Sequence, residues 1–149
     1  DQTTIVHGDY RLDNLVFHPS EPRALGLLDW ELSTLGHPMA DFAYHCMSWH
    51  IPATLWRGIG GLDLQALGIP TEREYIDLYS RATGFDGFEH WDFYIAYNLF
   101  RMAAILQGIA RRAVDGTAAS ADAIETGSKA RPLAEIGWKY AQRYNASRK

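Results

Sequence analysis

At 149 residues the chain has the length of one domain with a buried core, and 47% hydrophobic with 21% charged side chains is the balance of a globular protein. A net charge of −4, from 14 basic and 18 acidic residues, argues against a nucleic-acid partner. The longest apolar stretch, residues 94–110, is broken by Asn98, Arg101 and Gln107, which argues against a membrane span. Cys46 has no second cysteine to pair with, so a reducing, cytoplasmic setting is expected.

The chain opens on Asp1-Gln2-Thr3-Thr4, with neither a basic-apolar leader nor a Met, and reaches its first motif within a few residues. It therefore reads as a piece of a longer protein. Residues 3–7 are β-branched and short, and predict a strand running into a loop. Leu15–Phe17, the turn His18-Pro19-Ser20-Glu21-Pro22 and residues 24–28 predict a β-hairpin, with Asn14 at one end and Asp29 at the other. Residues 31–37 read as a loop. Pro38 then opens a helix in which Met39, Phe42, Ala43, Cys46 and Met47 recur at helical spacing.

Residues 51–70 are irregular, rich in Gly and punctuated by Pro52 and Pro70. Thr71 with Glu74 makes a capping box for a helix ending near Gly84. A helix over residues 89–114 is apolar nearly all round and predicts the centre of the core, stopped by Asp115-Gly116. A linker through residues 118–120 leads to a last helix over 120–144, with interruptions near Gly127 and Pro132. Two or three short strands followed by four helices make an α+β, mostly helical chain.

His7-Gly8-Asp9-Tyr10-Arg11-Leu12-Asp13-Asn14 carries His-x-Asp-x4-Asn, the spacing of the protein-kinase catalytic loop. In phosphoryl transfer one carboxylate orients the attacking hydroxyl, while an amide oxygen and a second carboxylate hold magnesium against the ATP phosphates. Asp9, Asn14 and Asp29 supply those three groups, and all are hard oxygen ligands. Asp9 and Asn14 alone would also suit simple Asx-turns. His45, Cys46 and His50 hint at zinc, but no second ligand pair has a suitable spacing.

With Leu28-Asp29-Trp30-Glu31 and Gly36-His37-Pro38-Met39-Ala40-Asp41-Phe42-Ala43 added, the chain resembles the aminoglycoside phosphotransferase and choline kinase superfamily of kinase-like enzymes. That family carries His-Gly-Asp-x4-Asn, Ile/Leu-Asp-Trp/Phe-Glu and Gly-Asp-Pro-x-x-Asp-Leu-Ala; His37 departs from the commoner Asp. The resemblance implies the C-terminal lobe of a protein-kinase-like fold over residues 1–149, with short hairpin strands around the catalytic loop. The N-terminal nucleotide lobe lies outside this sequence. It implies ATP and Mg2+ as cofactors and a small-molecule hydroxyl as acceptor. Asp9 would be the catalytic carboxylate, Asn14 and Asp29 the magnesium ligands, and His7 and Asp41 structural supports of the loop.

Arg11 is placed to stabilise charge on the transferring phosphoryl group, or else to pair with Asp13 or Glu31. Glu31, Tyr97 and Arg101 are candidate substrate-binding residues. The long helix aligns Tyr94, Asn98, Arg101, Ile105 and Gly108 along one line. Arg101 calls for an anion, either an internal one such as Asp41 or Asp77 or one on the substrate, where Arg111 and Arg112 would join it. Residues 71–149 hold 11 basic against 10 acidic side chains, which disfavours a polycationic acceptor such as an aminoglycoside.

The strings over residues 29–38 and 97–108 resemble the branch that includes the kinase-like domain fused to acyl-CoA dehydrogenases. For that branch the resemblance implies a hydroxyacyl-CoA acceptor. An aminoglycoside kinase or another small-molecule kinase of the choline or homoserine type, and a non-catalytic kinase-like binding module, are the alternatives.

Overall fold

A three- or four-residue strand cannot bury a face alone, so the position of its partner decides the local fold. In the computed structural model, which describes residues 2–148, β1 (Thr4–Val6) pairs antiparallel with β4 (Thr34–Gly36), Ile5 standing opposite Leu35. β2 (Leu15–Phe17) and β3 (Ala24–Leu27) make the expected hairpin, with Leu15 opposite Leu27 and an irregularity between Val16 and Phe17. Residues 31–37, expected as a loop, thus contain a strand. Thr34-Leu35-Gly36 is too short for an alternating pattern, and only a partner far back in the chain makes it one.

α1 (Met39–Cys46) starts just after Pro38 and buries Met39, Phe42, Ala43, Tyr44 and Cys46. A 3-10 turn, Met47–His50, prolongs it. The chain divides into two compact units, Asp1–His45 and Cys46–Lys149, and each has its own logic. The first unit is two small antiparallel pairs and most of α1, with the motif loop strung between them.

In the second unit, Thr71 caps α2 (Glu72–Thr83): its hydroxyl accepts the Glu74 N–H at 3.3 Å while the Glu74 carboxylate accepts the Thr71 N–H at 2.8 Å. Gly84, in the left-handed region at φ 71°, closes that helix. α3 (Trp91–Val114) turns Ile95, Leu99, Met102, Ala103 and Leu106 inward at i, i+3/i+4 spacing. It packs along α4 (Ala123–Ser128) and α5 (Ala130–Ser147). Gly127 permits that approach, since a Cβ there would lie 2.5 Å from Ala110 Cβ.

Two expectations are revised here. α3 is not wholly enclosed: Phe93, Tyr97, Phe100 and Ile105 form an exposed side, with Phe100 68% accessible. The break in the last helix falls at Lys129, and Pro132 lies in the first turn of α5, where its missing N–H removes no intrahelical bond. No helix among the described residues is long and apolar enough to cross a membrane.

Candidate active site

The loop after β1 is held by α1. Asp41, in the first turn of that helix, accepts the backbone N–H of Gly8 at 2.8 Å through Oδ1 and the N–H of His7 through Oδ2. Gly8 takes φ +85°, and a Cβ there would lie 2.5 Å from the Leu32 carbonyl oxygen, so only glycine fits. The His7 ring is buried and works at both nitrogens. Its Nδ1 accepts the Asp9 N–H at 3.1 Å, and its Nε2 donates to the Leu28 carbonyl at 2.7 Å. One imidazole therefore ties the start of the motif to the residue preceding Asp29.

Asp9 and Asn14 meet directly. The Asn14 amide nitrogen donates to the Asp9 carbonyl at 2.9 Å and to Asp9 Oδ2 at 3.2 Å. Asn14 is buried at the end of the 3-10 turn Leu12–Asn14, and its carbonyl accepts the Leu28 N–H at 2.8 Å. Asp29 is the next residue, about 3.8 Å further on by Cα spacing. The hairpin thus returns the chain to the side of Asn14.

Asp29 itself adopts a left-handed backbone, φ 66° and ψ 52°, uncommon away from glycine though best tolerated by Asp and Asn. The Asn14 amide oxygen and the Asp29 carboxylate accept no hydrogen bond among the described residues. These two hard oxygen donors suit magnesium. No group of three His, Cys, Asp or Glu side chains fit to hold a metal occurs among the described residues, so a cation here would draw its remaining ligands from water and phosphate, as magnesium commonly does.

Arg11 lies with Nε 3.1 Å from Asp9 Oδ2 and a terminal nitrogen 3.5 Å from Asp13. The Nε contact is an ion contact and not an aligned hydrogen bond. The sequence reading missed Tyr44, whose hydroxyl donates to Asp9 Oδ1 at 2.6 Å. Its spacing of three from Asp41 puts both on one face of α1, and that was the available signal.

The remaining sequence candidates lie on other elements. Glu31 is exposed in the 3-10 turn Trp30–Leu32. Tyr97 and Arg101 line an open groove on α3 with Phe100, Ala104, Ile105, Gly108 and Arg112. Asn98, aligned with Arg101 by spacing, is instead fully buried and donates to the Tyr94 carbonyl at 3.0 Å. Asp77 pairs with Arg73 at 3.2 Å, and Arg111 with Asp115 at 2.8 Å. His50 is held by Glu72 at 2.6 Å and by the Tyr140 hydroxyl at 2.6 Å. Burial and the nearby Glu72 charge push the Cys46 thiol well above its ordinary range, which makes it a poor nucleophile.

A model of the phosphotransferase enzyme family matches residues 1–104. The chain belongs to that family. A Ralstonia eutropha protein whose crystal structure is described as that of an aminoglycoside phosphotransferase superposes with a TM-score of 0.89 at 63% identity, over 95% of this chain and 43% of that one. The family, this neighbour and the helix-rich architecture together make the fold the C-terminal lobe of a kinase-like phosphotransferase.

The chain is also similar to mouse acyl-CoA dehydrogenase family member 10, 46% identical over 142 residues, and to human acyl-CoA dehydrogenase family member 11, 38% identical over 144. It covers 94% and 96% of itself in those alignments but spans only 13% and 18% of the relatives' length.

Proposed function

We propose that this lobe serves an ATP- and magnesium-dependent phosphotransferase that moves the γ-phosphoryl group to a small-molecule hydroxyl. The observation that carries the reading is the Asp9–Asn14 contact at 2.9 and 3.2 Å, with the hairpin bringing Asp29 alongside. Asp9 accepts and orients the acceptor hydroxyl. Asn14, through its amide oxygen, and Asp29 are the magnesium ligands. Magnesium, when bound, neutralises phosphate charge and aligns the transferring group. Arg11, already beside Asp9, stabilises charge on the phosphoryl oxygens. His7 and Asp41 hold the loop through the bonds described above.

The nucleotide lobe is proposed to come from protein outside these 149 residues. In the unit that carries the loop, Ile5 and Leu35 are 67% and 70% exposed, apolar surface of a kind that partners cover. The acceptor is proposed to be a hydroxyacyl-CoA, with Tyr97 and Arg101 among its contacts. Two observations support that choice: the names of the acyl-CoA dehydrogenase relatives, and a groove that sets Arg101 and Arg112 beside Tyr97, Phe100 and Ile105. An anionic, partly apolar ligand suits such a lining, whereas a polycation does not.

The test is a screen of the full-length protein with MgATP against hydroxyacyl-CoAs, aminoglycosides, choline and homoserine, following ADP and phosphorylated product. Asp9→Ala should lower the rate by about 10²–10⁴-fold, the usual worth of an acid–base group. No transfer to any hydroxyl would leave a non-catalytic binding module as the better reading.

A further inference from the structure

We infer that Tyr44 is a positioning residue for Asp9, holding the carboxylate plane in the orientation from which an acceptor hydroxyl is aligned; the inference rests on the phosphotransferase reading above. The Tyr44 side chain is carried on α1, is 3% exposed, and its hydroxyl donates to Asp9 Oδ1 at 2.6 Å. The other carboxylate oxygen, Oδ2, faces the Asn14 amide at 3.2 Å and Arg11 Nε at 3.1 Å. The terminal torsion of an aspartate is broad, so contacts at one oxygen leave the other able to swing. Partners at both oxygens fix the plane.

Each carboxylate oxygen has about two acceptor sites, so Tyr44 leaves room on Oδ1 for a substrate hydroxyl. A donor with an apolar ring suits this place, because the ring fills buried space while its one polar atom reaches the charge. α1 thereby sets both levels of the loop. Asp41 holds the backbone of His7 and Gly8, and Tyr44, about one turn later, holds the side chain of the next residue. Small displacements of a catalytic group cost rate without loss of fold, and that separates positioning from mere burial of a phenol.

The experiment compares wild type and Tyr44→Phe in the full-length protein, a change that removes one oxygen and keeps the ring. ADP formation from MgATP is followed with a hydroxyacyl-CoA, an aminoglycoside, choline and water as acceptors, alongside thermal melting. The expected result is a kcat lowered about 10- to 100-fold, the scale of one charge-assisted hydrogen bond, with KM for ATP within about twofold. A lowered melting temperature with kcat unchanged would mean that the hydroxyl serves only the fold, and would overturn the inference. A wild type that turns over none of the acceptors, water included, would bring down the phosphotransferase reading and this inference together. An active wild type matched by Tyr44→Phe removes this inference alone.

Discussion

Asp41→Ala is the most searching perturbation of the loop, because it takes the acceptor from two backbone N–H groups at once without touching Asp9. The carboxylate takes the N–H of Gly8 at 2.8 Å and that of His7, and His7 is only 2% exposed. Hydrogen bonds to a charged group contribute about 1.5–3 kcal/mol each. The His7 N–H loses its partner where water reaches poorly, while the half-buried Gly8 N–H is partly rehydrated. The net cost is then about 3–4 kcal/mol, a large share of the 5–15 kcal/mol that holds a typical domain together. At about 2–4 °C per kcal/mol for a chain of this size, the melting temperature should fall by roughly 10 °C.

Asp41→Asn should fall between the two, since its oxygen can keep one N–H while its amide group confronts the other. Urea unfolding followed by tryptophan fluorescence gives the free energies, and MgATP turnover in the full-length protein gives the accompanying loss of rate. If Asp41→Ala unfolds within about 0.5 kcal/mol of wild type, the scale of an ordinary surface change, Asp41 does not hold the loop as argued.

Gly8→Ala should destabilise by at least about 1–3 kcal/mol, from the φ of +85° and the Leu32 carbonyl in the way; an unchanged urea midpoint would contradict the geometry. Tyr140→Phe takes the hydroxyl from His50 Nδ1 and should cost about 1 kcal/mol by calorimetry, with Glu72 still holding the other ring nitrogen. Burial lowers the His45 imidazole below its ordinary value of 6.5. Below pH 6.5 the unfolded chain therefore takes up a proton that the folded form resists. Its effect on stability is absent above pH 6.5 and grows as pH falls toward the folded value, so stability drops on acidification. Urea midpoints at several pH values should show a shallower acid loss in His45→Gln; an identical slope would refute this origin.

Much was legible in order along the chain. The hairpin, the Thr71–Glu74 capping box and the helical periods were visible because each is set by neighbours within a few residues. The motif spacing singled out Asp9, Asn14 and Asp29 as candidates, and the hairpin implied that Asn14 and Asp29 would come close along the chain. Their actual approach runs through one backbone bond, Leu28 N–H to the Asn14 carbonyl. The last helix was legible in outline only, since a proline reads as a break until its position in the first turn is known.

What composition and spacing determined was therefore the kind of chain: a mostly helical, kinase-like lobe of the phosphotransferase family. Tertiary structure alone decided that β4 exists, that Asn98 turns inward while Arg101 lines a groove, and that Tyr44 reaches Asp9. These three depend on segments far apart in sequence or on the rotation of a helix about its axis. A local pattern specifies periodicity, but it leaves open which partner a face will meet.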